Sequence, residues 1–199
     1  MNKVLLNYVK NNKKLFFRLL FFILIGIIVG VIYFNVVLED VEREEISVFV
    51  LNTQTRLKEN VDINYIRLLI NSIKKNTFYI FLIGMLGLFV FGNLLVYLIL
   101  IFKGLSIGFT ISTFLYSFSF STEFILLIIL CIFQNIIIIP SILLISEKSE
   151  KLSKSIKEKR INLRDELCKH IIIMSILIIL SLLVSLIEIY ISMNFLIAF

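Results

Sequence analysis

The chain has no tryptophan, a single proline, a single histidine and only two cysteines. The cysteines, Cys131 and Cys168, form neither a disulfide framework nor the paired spacing of a metal site, and both are expected to be structural. The single histidine, His170, leaves nothing with which to assemble a histidine-based triad or a zinc site. Phosphate-binding, zinc-protease and nucleophile-elbow motifs are also missing, so the sequence predicts neither an enzyme nor a cofactor.

Charged residues are scarce as well, at 17% of the chain, whereas 59% of the residues are hydrophobic. That balance leaves no room for the polar surface of a soluble domain and indicates an integral membrane protein. The formal net charge is +6, but the basic side chains cluster at the ends of apolar runs, where they orient a membrane protein. Nucleic acid is therefore not an expected partner, and the bilayer is.

Long uncharged runs are what the chain has in abundance, and a helix needs about 20 such residues to cross a bilayer. Because the runs are continuous rather than alternating, helices are favoured over a barrel. The sequence predicts an all-α bundle of about five transmembrane helices in one membrane domain, 1–199. The expected spans are 19–38, 77–102, 104–122, 124–146 and 171–193, and Glu188 interrupts the last one.

The distribution of lysine and arginine predicts the orientation. With a cytoplasmic N-terminus, the inner side carries fourteen of the 20 basic residues and the outer side six, in accord with the positive-inside rule. The C-terminus then lies outside, 39–76 forms an extracytoplasmic loop and 147–170 a cytoplasmic loop. Apolar spacing predicts two short amphipathic helices in 39–76, which either cap the bundle or bind a partner. For 147–170 we expect a solvated loop or a helical hairpin that serves for docking.

Small residues in apolar helices allow the backbones of two helices to approach closely. A G-x-x-x-G motif occurs in the first span and again in the third. The glycines expected at helix contacts are Gly26, Gly30, Gly84, Gly87, Gly104 and Gly108. This spacing predicts packing without identifying the partner surface, and it leaves a homo-oligomer open.

A few polar residues interrupt the apolar runs. Gln134 and Asn135 lie midway along the fourth span, and Pro140 follows them. Amides at that depth need hydrogen bonds and a proline frees a backbone carbonyl, so these residues form either an interhelical clamp with a kink or part of a substrate path. Lys103 is expected at a tight inner turn or a re-entrant break between the second and third spans, with its ammonium group at the head groups. Glu188 either pairs with a buried donor, is protonated or marks the outer interface, and the interface is the favoured interpretation.

Three stretches, GIIVGVI at 26–32, FKGLSIGFT at 102–110 and FQNIIIIP at 133–140, occur in an order and spacing that resembles the stage II sporulation protein M family. The resemblance covers nearly the whole chain, although the two loops carry no recognisable part of it. It implies a protein of the sporulation septum that acts in engulfment. It also implies two peptidoglycan-degrading partners, stage II sporulation proteins D and P, which perform the catalysis.

Two functions of different classes follow from these observations. The first is a non-enzymatic membrane scaffold, with 39–76 and the glycine-bearing helix faces as contact surfaces. The alternative is the membrane component of an ATP-driven transporter, with Gln134, Asn135 and Pro140 along a path and 147–170 docking an ATPase. A third class, an intramembrane enzyme, requires a paired nucleophile and base, and the sequence offers neither.

Overall fold

The computed structural model describes residues 13–58, 65–119, 122–158 and 163–198. These residues form six α-helices and no strand, which confirms the predicted all-α class. The helices are α1 (Lys13–Ile32), α2 (Asp40–Lys58), α3 (Tyr65–Leu86), α4 (Gly92–Phe118), α5 (Thr122–Lys157) and α6 (Leu163–Ala198), and a π-helical turn, Tyr33–Val37, extends α1.

Three helical stretches within the described residues are long and apolar enough to cross a membrane, namely Lys14–Val37, Gly92–Phe118 and Arg164–Tyr190. They correspond to α1 with its π-helical turn, to α4 and to most of α6. A helix satisfies all its backbone hydrogen bonds internally, as hydrocarbon requires. The chain is therefore a helical membrane protein, while the full number of five spans and the inside-outside orientation stay predictions.

The helices pack around one apolar core. α1 and α4 run in the same direction, because Gly26 lies against the backbone of Ile101 and Gly30 lies against that of Leu105, one turn further along both helices. The core side chains come from five helices: Leu19, Ile23, Ile80, Ile83, Val96, Ile99, Leu100, Ile138, Ile142, Leu143, Ile145, Leu177 and Val184. α2 contributes none of them and packs mainly against α4. The bundle is thus formed by α1, α3, α4, α5 and α6, with α2 outside the core.

The position of one helix boundary differs from the expectation. We expected a turn at Lys103 between spans 77–102 and 104–122, but α4 continues through Lys103 and the chain instead breaks between α3 and α4 at 87–91. A lysine is a good helix former, so one lysine in an apolar run does not end a helix. The break begins at Gly87, and it ends at Gly92, where a Cβ atom would lie 2.8 Å from the carbonyl carbon of Leu86.

The described parts of the segment 147–170 are helical, apart from a turn at Glu158, rather than a solvated loop. α5 continues to Lys157 and α6 begins at Leu163, so the hairpin alternative describes it. One face of this extension is fully buried, including the side chains of Glu147 and Glu150. The charges of the segment are therefore divided between a buried face and an exposed one.

The segment 39–76 contains one complete helix and part of another. α2 occupies Asp40–Lys58, whereas the second predicted helix is the first part of α3 and no separate element. The amphipathic character is not confirmed, because Val41, Val48 and Phe49 of α2 all remain exposed.

Candidate functional site

The two glycine motifs predicted from the sequence pack against each other. A Cβ atom on Gly26 would lie 2.9 Å from the Cα atom of Gly104, and one on Gly108 would lie 2.9 Å from the carbonyl carbon of Ile27. In each case the nearest obstacle is backbone, which cannot move aside as a side chain does. These glycines are therefore what allows α1 and α4 to approach at backbone contact.

Gly84 and Gly87 lie at a second contact, where α3 meets α5 and α6. A Cβ atom on Gly84 would meet the side chain of Met174, and one on Gly87 would lie 2.8 Å from the Cα atom of Ser149. The carbonyl oxygen of Gly84 is 2.9 Å from Nε2 of His170, the only histidine of the chain. His170 thus joins α6 to α3 through a backbone group.

A polar cluster that we did not predict joins α1, α4 and α5 at the end of the bundle where α1 begins. The buried carboxylate of Glu150 accepts hydrogen bonds from Arg18 of α1, from the Tyr97 hydroxyl of α4 at 2.8 Å and from Lys154 at 2.7 Å. The Arg18 guanidinium also lies 5.5 Å from the centre of the Tyr97 ring. Burial raises the pKa of Glu150, but the hydrogen bonds from Lys154, Tyr97 and Arg18 outweigh burial and hold it below its usual value.

Serine hydroxyls of the same part of α5 bind the end of α3 and the turn that follows it. Ser149 Oγ donates to the Ile83 carbonyl oxygen at 2.8 Å, and Ser153 Oγ lies 2.7 Å from the carbonyl oxygen of Phe89. Both carbonyl oxygens also accept a backbone hydrogen bond, from the amide of Gly87 at 3.3 Å and from that of Gly92 at 3.0 Å. A carbonyl oxygen has two lone pairs, so the serine hydroxyls give each of them a second hydrogen bond, from α5. The spacing of Ser149 and Ser153, one helical turn apart, was the sequence signal for this contact.

Lys103 is buried within the bundle, with 3% of its surface exposed. Its ammonium nitrogen lies 5.1 Å from the centre of the Tyr79 ring on α3, a distance at which the ring face attracts a cation. Lys75 and Glu188 are close enough to act on it electrostatically. The lysine is therefore a charge held inside the bundle at the middle of an apolar helix, rather than one placed at an inner turn.

Glu188 takes part in a polar network between α3 and α6 instead of simply marking an interface. Its Oε2 accepts a hydrogen bond from Ser72 Oγ at 2.6 Å and lies 3.3 Å from Asn76 Nδ2. The same Asn76 amide donates to Ser185 Oγ at 3.0 Å, and Thr77 and Ser181 pair at 3.0 Å one turn away. The network pairs polar groups of two apolar helices with each other and so stabilises their contact.

The interhelical hydrogen bonds predicted for the amides of α5 are not seen for Asn135 Nδ2. Asn135 Nδ2 donates to the carbonyl oxygen of Cys131 in its own helix at 2.8 Å, so it is not an interhelical clamp through that atom. Its Oδ1 atom is buried without a hydrogen-bond partner among the described residues. The Gln134 side chain lies outside the described residues. α5 runs without interruption past Pro140, whose side chain is exposed.

The contacts described for these groups are packing contacts, hydrogen bonds, ion pairs and cation–π contacts. The candidate residues are spread over the bundle: Gly87 lies at the level of the Glu150 cluster near the start of α1, whereas Lys103 lies beside Gly104 in the middle of α4. Among residues 13–58, 65–119, 122–158 and 163–198, no three histidine, cysteine, aspartate or glutamate side chains are grouped so that they could hold a metal ion.

Residues 19–193 match the family model for stage II sporulation protein M. The chain belongs to this family. The match spans the glycine motifs, the Glu188 network and, except for Arg18, the Glu150 cluster, so nearly all the contacts described above lie in the matched region. Neither the curated proteins nor the solved structures provide a match. Membership makes this a sporulation-related membrane protein, in agreement with the resemblance noted in the sequence.

Proposed function

We propose that this stage II sporulation protein M is a non-enzymatic scaffold in the membrane of the sporulation septum. In this proposal it anchors peptidoglycan-degrading partners, stage II sporulation proteins D and P, during engulfment. The observation that carries the proposal is what the buried polar groups of the bundle bind: those of the Glu150 cluster and of the Glu188 network form hydrogen bonds with neighbouring helices. Such groups stabilise one arrangement of the bundle, as a platform for other proteins requires.

The partner surface in this proposal is α2. It lies at the end of the bundle opposite the Arg18–Glu150 pair, since it follows the far end of α1. Its side chain of Phe49 is 72% exposed, and those of Val41 and Val48 are exposed on the same helix. Exposed apolar side chains on a charged helix are a common basis for protein contacts. With the N-terminus in the cytoplasm, α2 faces the cell wall, where such hydrolases act.

The experiment is a mild-detergent pull-down of tagged protein from sporulating cells, with bound proteins identified by mass spectrometry. The wild type is compared with Phe49→Glu, and with Asn52→Glu as a matched control, because Asn52 is also exposed on α2 and gains the same charge. We expect a peptidoglycan hydrolase pair with the wild type and the control, and at least about a tenfold loss with Phe49→Glu. Recovery of no wall hydrolase with the wild type contradicts the proposal.

The helical hairpin formed by α5 and α6 supports a second candidate, the membrane component of an ATP-driven transporter. Its exposed basic side chains, including Lys151, Lys157 and Lys169, outnumber the exposed acids of its described part, Glu158 and Asp165, and provide a docking surface of net positive charge. The same pull-down separates the two functions. Recovery of a cytoplasmic ATPase without wall hydrolases favours the transporter and contradicts the scaffold.

A further inference from the structure

An open cavity of about 650 Å³ lies along the side of α3. Its described lining residues are Ile73, Lys74, Lys75, Thr77, Phe78, Tyr79 and Phe81. Two lysines therefore occupy one end of this stretch of helix, and aromatic side chains occupy the rest. Neither the glycine contacts nor the proposed partner surface on α2 includes this cavity.

The lysine end of the cavity lies at the start of the apolar part of α3. Lys74 and Lys75 precede the uncharged run that begins at Thr77. Asn76, which follows Lys75, donates a hydrogen bond to Ser185 of α6 at 3.0 Å. At 1.5 Å per residue, the two lysines lie roughly 3–5 Å outside the run, a distance that a lysine side chain spans by itself. Lys74 and Lys75 can therefore place their ammonium groups at the head-group level of one leaflet.

The charge around the cavity favours an anion. Both lysine side chains are exposed, and neither forms an ion pair with a described carboxylate. Behind the cavity, Tyr79 faces the buried ammonium group of Lys103, which adds positive charge on the same side. The one described acid that acts electrostatically on Lys103 is Glu188, and its carboxylate already accepts a hydrogen bond from Ser72. Three positive charges thus face one negative charge.

We propose that this cavity binds one anionic phospholipid, with the phosphate held by Lys74 and Lys75 and an acyl chain lying against Phe78 and Phe81. Basic pockets at the membrane surface bind anionic head groups, and apolar walls suit acyl chains. A free phosphate ion would use the lysines but leave the aromatic wall uncovered, so the wall favours the lipid. The proposal is independent of the scaffold function, because it concerns α3 and requires no partner protein.

The test uses the full-length protein in mild detergent and measures lipid retention by native mass spectrometry. The probes are phosphatidylglycerol and phosphatidylcholine with identical acyl chains. We expect one retained phosphatidylglycerol per protein, and roughly tenfold to thirtyfold weaker retention for Lys74→Gln/Lys75→Gln. Lys157→Gln/Lys169→Gln is the matched control, since it removes the same charge from exposed lysines at the opposite end of the bundle and is expected to retain the lipid.

Two further variants separate the contribution of the lysine charges to lipid retention from that of the aromatic side chains. Lys74→Arg/Lys75→Arg keeps both charges and is expected to bind as the wild type does. Phe78→Ala keeps the lysines and is expected to weaken retention about threefold to tenfold through lost acyl contact. All four variants change exposed side chains, and their thermal unfolding without lipid checks that they fold.

Three results would overturn the proposal. Equal retention of phosphatidylcholine would remove the role of charge, and equal losses in the two lysine-to-glutamine variants would indicate general attraction to a basic protein. Displacement of the lipid by millimolar inorganic phosphate would indicate a site for the free anion. A failed hydrolase pull-down leaves the lipid result unaffected, so the two proposals fail separately.

Discussion

Gly26 of α1 and Gly104 of α4 lie back to back, so that a Cβ atom on either residue would stand 2.9 Å from the Cα atom of the other. Gly30 and Gly108 continue the contact one turn further along both helices. Because apolar side chains gain little by leaving lipid, close packing of this kind is a principal source of helix association in membranes. The contact sets how near α1 can approach the rest of the bundle.

An alanine at position 26 is expected to destabilise the protein by about 1–3 kcal/mol, because its methyl group meets the backbone of α4. This happens even though alanine favours a helix over glycine. Gly84→Ala is the matched control, since the nearest atom there belongs to the flexible Met174 side chain. Thermal unfolding in detergent measures both variants. Equal losses of stability in the two variants would show that a clash with backbone costs no more than a clash with a flexible side chain.

Arg18 and Glu150 are expected to stabilise the protein cooperatively. A double-mutant cycle with Arg18→Gln and Glu150→Gln should give a coupling of about 1 kcal/mol, since Glu150 is buried but Arg18 is half exposed and screened by solvent. The exposed pair of Arg43 and Asp40 on α2 provides the comparison, with an expected coupling of roughly 0.5 kcal/mol or less. Chemical or thermal unfolding supplies the values. A coupling no larger than that of the α2 pair contradicts the expectation.

The contribution of Glu150 to stability is expected to depend on pH. Its carboxyl has a lower pKa in the folded protein than in the unfolded chain, so its contribution is complete above the unfolded value, about 4.3, and is lost as the pH falls through the folded value. The difference in unfolding temperature between the wild type and Glu150→Gln should therefore be greatest near pH 7 and shrink below about pH 4. A difference that stays constant from pH 7 to pH 3 would contradict the lowered pKa.

Replacing Lys103 by methionine is expected to leave the stability unchanged or to raise it. A buried charge has a high desolvation cost, and methionine has a similar length without the charge. In the wild type, Tyr79→Leu should then destabilise the protein by about 1 kcal/mol through the lost cation–π contact. In the Lys103→Met protein, which has no ammonium group at this position, the same change should destabilise the protein by less. The scaffold proposal also expects Lys103→Met to recover the same partners. Loss of partner recovery in a stably folded Lys103→Met protein would assign the buried charge a direct function.

The orientation can be checked with the two native cysteines. Cys168 is exposed near the start of α6, whereas Cys131 is half-buried in α5. With a cytoplasmic N-terminus, a membrane-impermeant maleimide should label Cys168 only after the cells are permeabilised, and Cys168→Ser should remove the signal. Labelling of Cys168 in intact spheroplasts would show that the orientation is opposite to the predicted one.

The glycine motifs show what sequence spacing can and cannot predict. Glycines four positions apart lie on one helix face, so packing at Gly26, Gly30, Gly104 and Gly108 was predictable. That these two faces meet each other was not, because each motif would fit a small-residue face on any neighbouring helix. The identity of the partner face depends on how all the helices pack together.

The burial of Lys103 and of the segment after Glu147 was harder to predict from the sequence, and the reason is the same for both. Charge was taken as a sign of exposure, yet Lys103 lies against Tyr79 and Glu150 lies beneath Arg18. A buried charge is stable only with specific partners on other helices, and those partners are distant in sequence. The helical spacing of Ser149 and Ser153 was present in the sequence, but their acceptors are backbone carbonyls, which leave no sequence signal.

The contact between α1 and α4 also has a consequence for synthesis. Roughly 80 residues separate its two halves, and at about 5–20 residues per second a ribosome needs on the order of 4–16 seconds to make them. During that interval α1 is in the membrane without its partner, with bare glycine backbone facing lipid. Membrane insertion of α1 therefore precedes its packing, and proteins that recognise unassembled helices have a window of seconds in which to bind it.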